Sequence, residues 1–178
     1  MFDKDVRLQG IYATHLKSLA KDPKNVDHPY LFERYIDVYM NAAVIGLLEG
    51  EPIMKPDIIG KDSAQIFAAV FSPERANCMF LYHLVMLLDR STGLTVEQRI
   101  DRAFRDEGDD AHPEKMEANM KLFTGYVLSG IEIMYEKMAK NYTTLDDMCD
   151  AAYTMMRDFQ ETTEKISPEE YLKKYHLV

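Results

Sequence analysis

LFERYIDVYMNAAVIGLLE, residues 31–49, decides the fold class. Its first half places a polar residue at every fourth position, Glu33, Asp37 and Asn41, among mostly apolar neighbours. Four-residue spacing puts side chains on one face of an α-helix, so this half is amphipathic. From Ala42 to Leu48 no polar side chain occurs. A helix without a polar face needs apolar cover all round, from a core or from a second chain. The segment therefore predicts a helix that enters a bundle at its polar end and becomes central further on. Asp37 and Asn41 have three readings: exposed along with Glu33, buried and paired so as to fix register, or facing a site that binds a partner.

Helical spacing continues on both sides of this stretch. Leu8, Ile11, Tyr12, Leu16 and Leu19 predict a helix over residues 4–20. Residues 22–29 form a polar linker with two prolines. Residues 50–62, with two prolines and two glycines, read as a loop. A short helix is expected over 64–71. Ser72-Pro73, a cap followed by proline at the first helical position, restarts the chain into an apolar helix. Thr95 and Gln98 have the spacing of a capping box, and a charged helix to about Glu107 follows. Pro113 opens the longest helix, in which Met116, Met120, Phe123, Val127, Ile131, Met134 and Met138 recur every three or four residues. Thr144 starts a helix to about Lys165, and Ser167-Pro168-Glu169-Glu170 repeats the capping signal before a short last one. No strand alternation longer than a few residues and no internal repeat is visible. The expectation is an all-α fold, one helical domain over residues 1–178, packed as a bundle of seven or eight helices.

Composition bounds the function. The chain has 178 residues, with 30 acids against 21 bases and a net charge of −9. Such a surface disfavours broad nucleic-acid binding, which needs cationic cover. It admits a basic partner or mimicry of DNA charge. The segment MFDKDVRLQG has no apolar core of a signal peptide, and no apolar run reaches the length of a membrane span. A cytoplasmic protein with no membrane contact is expected. The two cysteines, Cys78 and Cys149, read as free buried thiols of a reducing compartment.

Several residue groups could carry chemistry. Asp146, Asp147 and Asp150 match the DDxxD spacing that holds magnesium against a diphosphate, because hard oxygen ligands suit that ion. Glu114 and Glu117 share a helix face and could add to such a site, as acid pairs on neighbouring helices do in all-α nucleotide pyrophosphatases. Each set also sits in a helix's first turn, where acids complement the dipole without any ion. A shared ion requires these acids to converge. Asp106, Glu107, Asp109 and Asp110, ending at His112, lack the ligand order of a calcium loop. Arg99, Arg102 and Arg105 form a basic stripe that could grip phosphate or an acidic partner, or pair with the interleaved Asp101 and Asp106. His83, near Cys78, lacks the clustered ligands of a zinc site and reads as a core histidine bonded to a backbone carbonyl. GxSxG, P-loop and GxGxxG motifs are absent. Twelve methionines are more than a small helical domain can bury, which points to an apolar contact patch.

Phe32-x-x-Tyr35-x-Asp37-Val38-Tyr39-x-x-Ala42-Ala43-x-x-Gly46 resembles the start of small helical proteins encoded beside bacterial DNA-phosphorothioation and phage-defence systems. The resemblance implies a bacterial, cytoplasmic accessory protein and assigns no catalytic residue. The functional expectation is a non-enzymatic helical accessory or interaction protein. It needs no cofactor and works through a protein partner or a second copy, with Arg99, Arg102, Arg105, Asp37 and Asn41 as partner-binding candidates. The alternative is a magnesium-dependent hydrolase acting on phosphates or nucleotides through Glu114, Glu117, Asp146, Asp147 and Asp150.

Overall fold

In the computed structural model, which describes residues 1–25, 27–106, 112–164 and 167–174, the Ala42, Ala43 and Gly46 face of the 31–49 stretch lies buried at the centre of the molecule. The elements run, in chain order, β1 (Val6–Gln9), α1 (Ile11–Leu19), α2 (Tyr35–Glu49), β2 (Ser63–Ile66), α3 (Ala68–Leu88), α4 (Val96–Phe104), α5 (Pro113–Met138), α6 (Leu145–Glu164) and α7 (Pro168–Lys174). The main crossing is α2 against α5, where Ala42, Ala43 and Gly46 meet Tyr126, Val127 and Gly130. A β-carbon on Gly46 would collide with the Tyr126 carbonyl, and one on Gly130 with the Ala42 carbonyl. The two backbones thus touch directly, which only small residues permit. Cover is complete for this face. The all-round cover expected over 42–48 is not found: Val44, Ile45 and Leu47 are half-buried and Leu48 is exposed.

Among the described residues six helices of nine residues or more, followed in the chain by the short seven-residue α7, form the fold rather than the bundle of seven or eight expected. A two-stranded sheet accompanies them, so the fold is predominantly helical rather than all-α. β1 pairs antiparallel with β2, Val6 opposite Ile66 and Gln9 opposite Ser63. This sheet replaces the first turn of the helix expected over 4–20 and the first three residues of the one expected over 64–71, whose last four open α3. Four-residue strands are too short for period-2 alternation to stand out from helical spacing. Gly10, at φ 61°, then turns the chain from β1 into α1 in a left-handed conformation that glycine adopts without strain.

Two further boundaries move for identifiable reasons. α2 begins at Tyr35, not Leu31, because the backbone of residues 31–32 is engaged elsewhere. Leu31 and Phe32 donate to the Leu19 carbonyl, and Lys21 donates to Phe32. α3 runs unbroken through Pro73. A proline inside a helix costs about 3 kcal/mol, but Phe71, Cys78, Tyr82, Val85 and Met86 form one buried face on both sides of it. Burying such side chains contributes about 1.5–3 kcal/mol each, which outweighs the lost bond. The core closes on an aromatic cluster. Phe2 stacks on Phe71 at 5.8 Å, Tyr39 meets Phe71 edge-on at 5.5 Å, and Phe123 touches Phe2, Tyr39 and Tyr82.

The capping signals at Thr95 and Ser167 hold, whereas Ser72 caps nothing, because it lies inside α3. Thr95 accepts from the Gln98 N–H at 3.3 Å while the Gln98 side chain accepts from Thr95 at 3.0 Å. Ser167 and Glu170 repeat the exchange at α7. Among the described residues no helix is long and apolar enough to cross a membrane.

Candidate functional site

The strongest polar cluster lies where α3 ends. Asp89 is fully buried, at 0% exposure. It accepts from Ser91 Oγ at 2.6 Å, Thr92 Oγ1 at 2.5 Å and Tyr126 OH at 2.6 Å, and pairs with Arg102 at 3.0 Å. Burial by itself raises the carboxyl pKa. The hydroxyl donors and the Arg102 guanidinium outweigh it and bring the pKa down to about 2. Arg102 also donates to Thr92 and to the Met86 carbonyl. One ionised carboxylate thus ties α3, α4 and α5 together. It reaches its partners through hydrogen bonds internal to the fold, which is a locking role. Asp89 was missed in the sequence. The available signal was Asp89-Arg90-Ser91-Thr92 directly after an apolar helix, an acid whose own loop supplies hydroxyl donors.

This cluster alters the reading of the arginine stripe. Arg99 and Arg102 are 2% and 5% exposed, and only Arg105 faces solvent, where it pairs with Asp101 at 2.6 Å. Three-residue spacing marks one helix face, and here that face turns inward toward α3 rather than outward toward a partner. Arg99 borders a cavity of about 720 Å³ with Glu51, Arg90, Ser91 and Thr95. Burial lowers its pKa, Arg102 and Arg90 add to the effect, and Asp89 opposes it.

The other candidates also resolve into positions. Asp37 is part-buried and pairs with Arg34 at 2.6 Å, and Arg34 reaches Glu74 on α3 at 3.0 Å. Asn41 is exposed and donates to the Asp37 carbonyl at 2.8 Å. The polar stripe of α2 is therefore a clip onto α3 at one end and a solvated face at the other. Glu114 and Glu117 are exposed at the start of α5, whereas Asp146, Asp147 and Asp150 start α6, just beyond the other end of α5. A helix of 26 residues is about 39 Å long, so the two sets cannot share one ion. Asp147 accepts from Thr144, whose hydroxyl in turn caps the Asp147 N–H. Asp147 and Asp150, with Glu49 and Asp158, border a cavity of about 440 Å³ in which Lys137 pairs with Glu49. Among the described residues no three His, Cys, Asp or Glu side chains are placed to hold a metal ion together. Asp106 is part-buried and accepts from Asn119. Glu107, Asp109 and Asp110 lie outside the described residues.

Among the described residues, exposed large apolar side chains lie on the 54–67 segment (Met54, Ile58, Ile59 and Phe67), singly at Leu48 and Leu172, and on two helical surfaces. The first is the hairpin of α3 and α4. Phe80 is 65% exposed and Phe104 56%. The His83 ring lies one turn from Phe80 and 5.0 Å from Phe104, and Ile100, also exposed, lies one turn before Phe104. Helical neighbours at i+3 and i+4 share a face, so the four side chains form one continuous patch. The second is α6, which buries Met148 and Met155 against the core while Leu145, Tyr153 and Met156 stay exposed. Cys149 is exposed there, against the expectation that both thiols are buried; Cys78 is buried, and its pKa is pushed up to about 11.

No family model, no curated protein and no solved structure matches the chain.

Proposed function

We propose that this chain is a non-enzymatic helical interaction protein that engages a protein partner through the α3–α4 hairpin. The observation that carries this is the patch of Phe80, His83, Ile100 and Phe104. Aromatic side chains dominate protein interfaces because each buries a large rigid area. Monomeric surfaces seldom carry such groups side by side. The Asp89–Arg102 lock supports the reading, since it holds α4 in place on α3 and so keeps the patch preformed. Preformed surfaces bind with less ordering entropy.

The likeness of residues 32–46 to small proteins of bacterial DNA-phosphorothioation and phage-defence systems supports an accessory place in such an assembly. Tyr39, Ala42, Ala43 and Gly46, which carry much of that likeness, are buried, so it speaks to the scaffold and the hairpin speaks to the contact.

The test is site-specific photo-crosslinking in cells from a benzoylphenylalanine at position 80, beside the same probe at the exposed polar position Thr14 on α1. A discrete crosslinked protein at 80 that disappears with Phe104→Ser is the expected result. No crosslink at 80, or the same products at 14, sinks the proposal.

A further inference from the structure

The turn between α3 and α4 closes one side of the cavity that Arg99 borders. The lining includes Arg90 and Ser91 from the turn, Thr95 and Val96 at the start of α4, and Glu51 from the segment after α2. Its volume, about 720 Å³, is that of a small-molecule pocket. In a chain of net charge −9, a wall with two arginines and one acid is a local reversal of sign. Arg99 is 2% exposed, so it meets an occupant of the cavity with little water between them, where charge attraction is strong. Arg102 and Arg90 act on Arg99 as like charges. Asp89, the carboxylate that acts on it, is itself engaged by Arg102 and three hydroxyls. α4 begins at Val96 in the same lining, so the positive end of its backbone dipole lies there too. Both arginines also interact within the fold, and a guanidinium carries donors enough for a ligand as well.

We propose that this cavity binds a small phosphate monoester, with the phosphate on Arg90 and Arg99 and a hydroxylated body toward Glu51. Two guanidiniums suit more charge than a carboxylate ligand carries. A phosphate monoester brings several acceptor oxygens and about two negative charges, and the planar guanidinium fork matches pairs of such oxygens. The volume exceeds what a bare phosphate fills, which leaves room for the body. Glu51 sets the direction, because a carboxylate repels phosphate and accepts from hydroxyls. The site lies at the turn of the α3–α4 hairpin, whereas Phe80, His83, Ile100 and Phe104 lie along its helices. It does not rest on the partner-binding reading.

Amide chemical shifts of the full chain test this. Titration with glycerol phosphate is expected to move the Ser91 and Val96 amides saturably. Inorganic phosphate moves the same amides but binds about fivefold more weakly, for want of the hydroxyl contact, and glycerol moves neither. Arg90→Gln, a change at an exposed position, is expected to weaken both phosphates at least about tenfold with the helical signal intact. Glu51→Gln is expected to tighten inorganic phosphate, since it removes a like charge. No saturable shift at these amides, the same shifts with glycerol, or binding that Arg90→Gln leaves unchanged overturns the proposal. Glycerol phosphate no tighter than inorganic phosphate overturns the monoester assignment. A chain that binds no phosphate yet still crosslinks from position 80 removes this site and leaves the partner-binding reading standing.

Discussion

Tyr39 sits in the aromatic cluster with its hydroxyl buried and without a hydrogen-bond partner, and burial raises its pKa well above the usual tyrosine range. An unsatisfied buried hydroxyl destabilises by about 1–3 kcal/mol. Tyr39→Phe keeps the ring contacts and removes the hydroxyl, so a gain of about 1 kcal/mol in urea unfolding is expected; a loss would show that the hydroxyl has a partner. Asp89 gives the opposite prediction. Asp89→Ala leaves Arg102 buried without its counter-charge and is expected to lose about 3–5 kcal/mol. With a folded pKa of about 2 against an ordinary 3.8, the carboxylate's contribution is fully present above pH 4. It fades as the pH falls toward 2, because the unfolded chain takes up the proton first. Acid titration of wild type against Asp89→Asn measures this: the variant should show a shallower loss between pH 4 and 2.

At the scale of the element, the helices that rest on a long apolar period were legible. α5 and α6 stand within two residues of where the methionine spacing and the Thr144 cap place them. The sheet was not legible, because two four-residue strands carry no period and their pairing joins segments far apart in the chain. The inward turn of Arg99 and Arg102 was equally hidden: a stripe at i, i+3 and i+6 looks the same whether its face meets solvent or a buried carboxylate. The surface patches lay between these cases. The excess of methionine suggested that one exists, but Phe80 and Phe104 belong to different helices and meet only in the folded hairpin. The α2–α5 crossing supplies this scale's prediction. Gly130→Ala drives a β-carbon into the Ala42 carbonyl, where neither backbone can yield without separating the helices. A loss of about 1–3 kcal/mol is expected, typical of an overpacked core. Gly93→Ala, at a glycine with open space around it but with φ 67°, separates backbone strain from crowding.

For the whole molecule, the pH response above neutrality's acid side rests on His15. Its ring stacks on Tyr135 at 3.8 Å and its Nδ1 is buried without a partner. Burial lowers the His15 pKa, and the carboxylates of Glu132 and Glu136 oppose that only in part. A base with a depressed folded pKa binds its proton more readily when unfolded, so stability falls as the pH drops below about 6.5. Thermal melts of wild type should decline from pH 7 to 5. His15→Phe, which keeps a ring against Tyr135, should flatten that slope, and an unchanged slope would place the titration elsewhere.

The backbone contact between Gly46 and Gly130 also has a kinetic side. The α3–α4 hairpin closes between neighbours in sequence, whereas α2 waits for α5, nearly half the chain later. Closing so long a loop is slow, because its entropy is lost before any contact compensates. A chain growing from the ribosome therefore holds α2 with its Ala42–Leu48 face uncovered until residue 130 has emerged. Over that interval, the protein's most apolar helix is a binding site for whatever shields nascent chains.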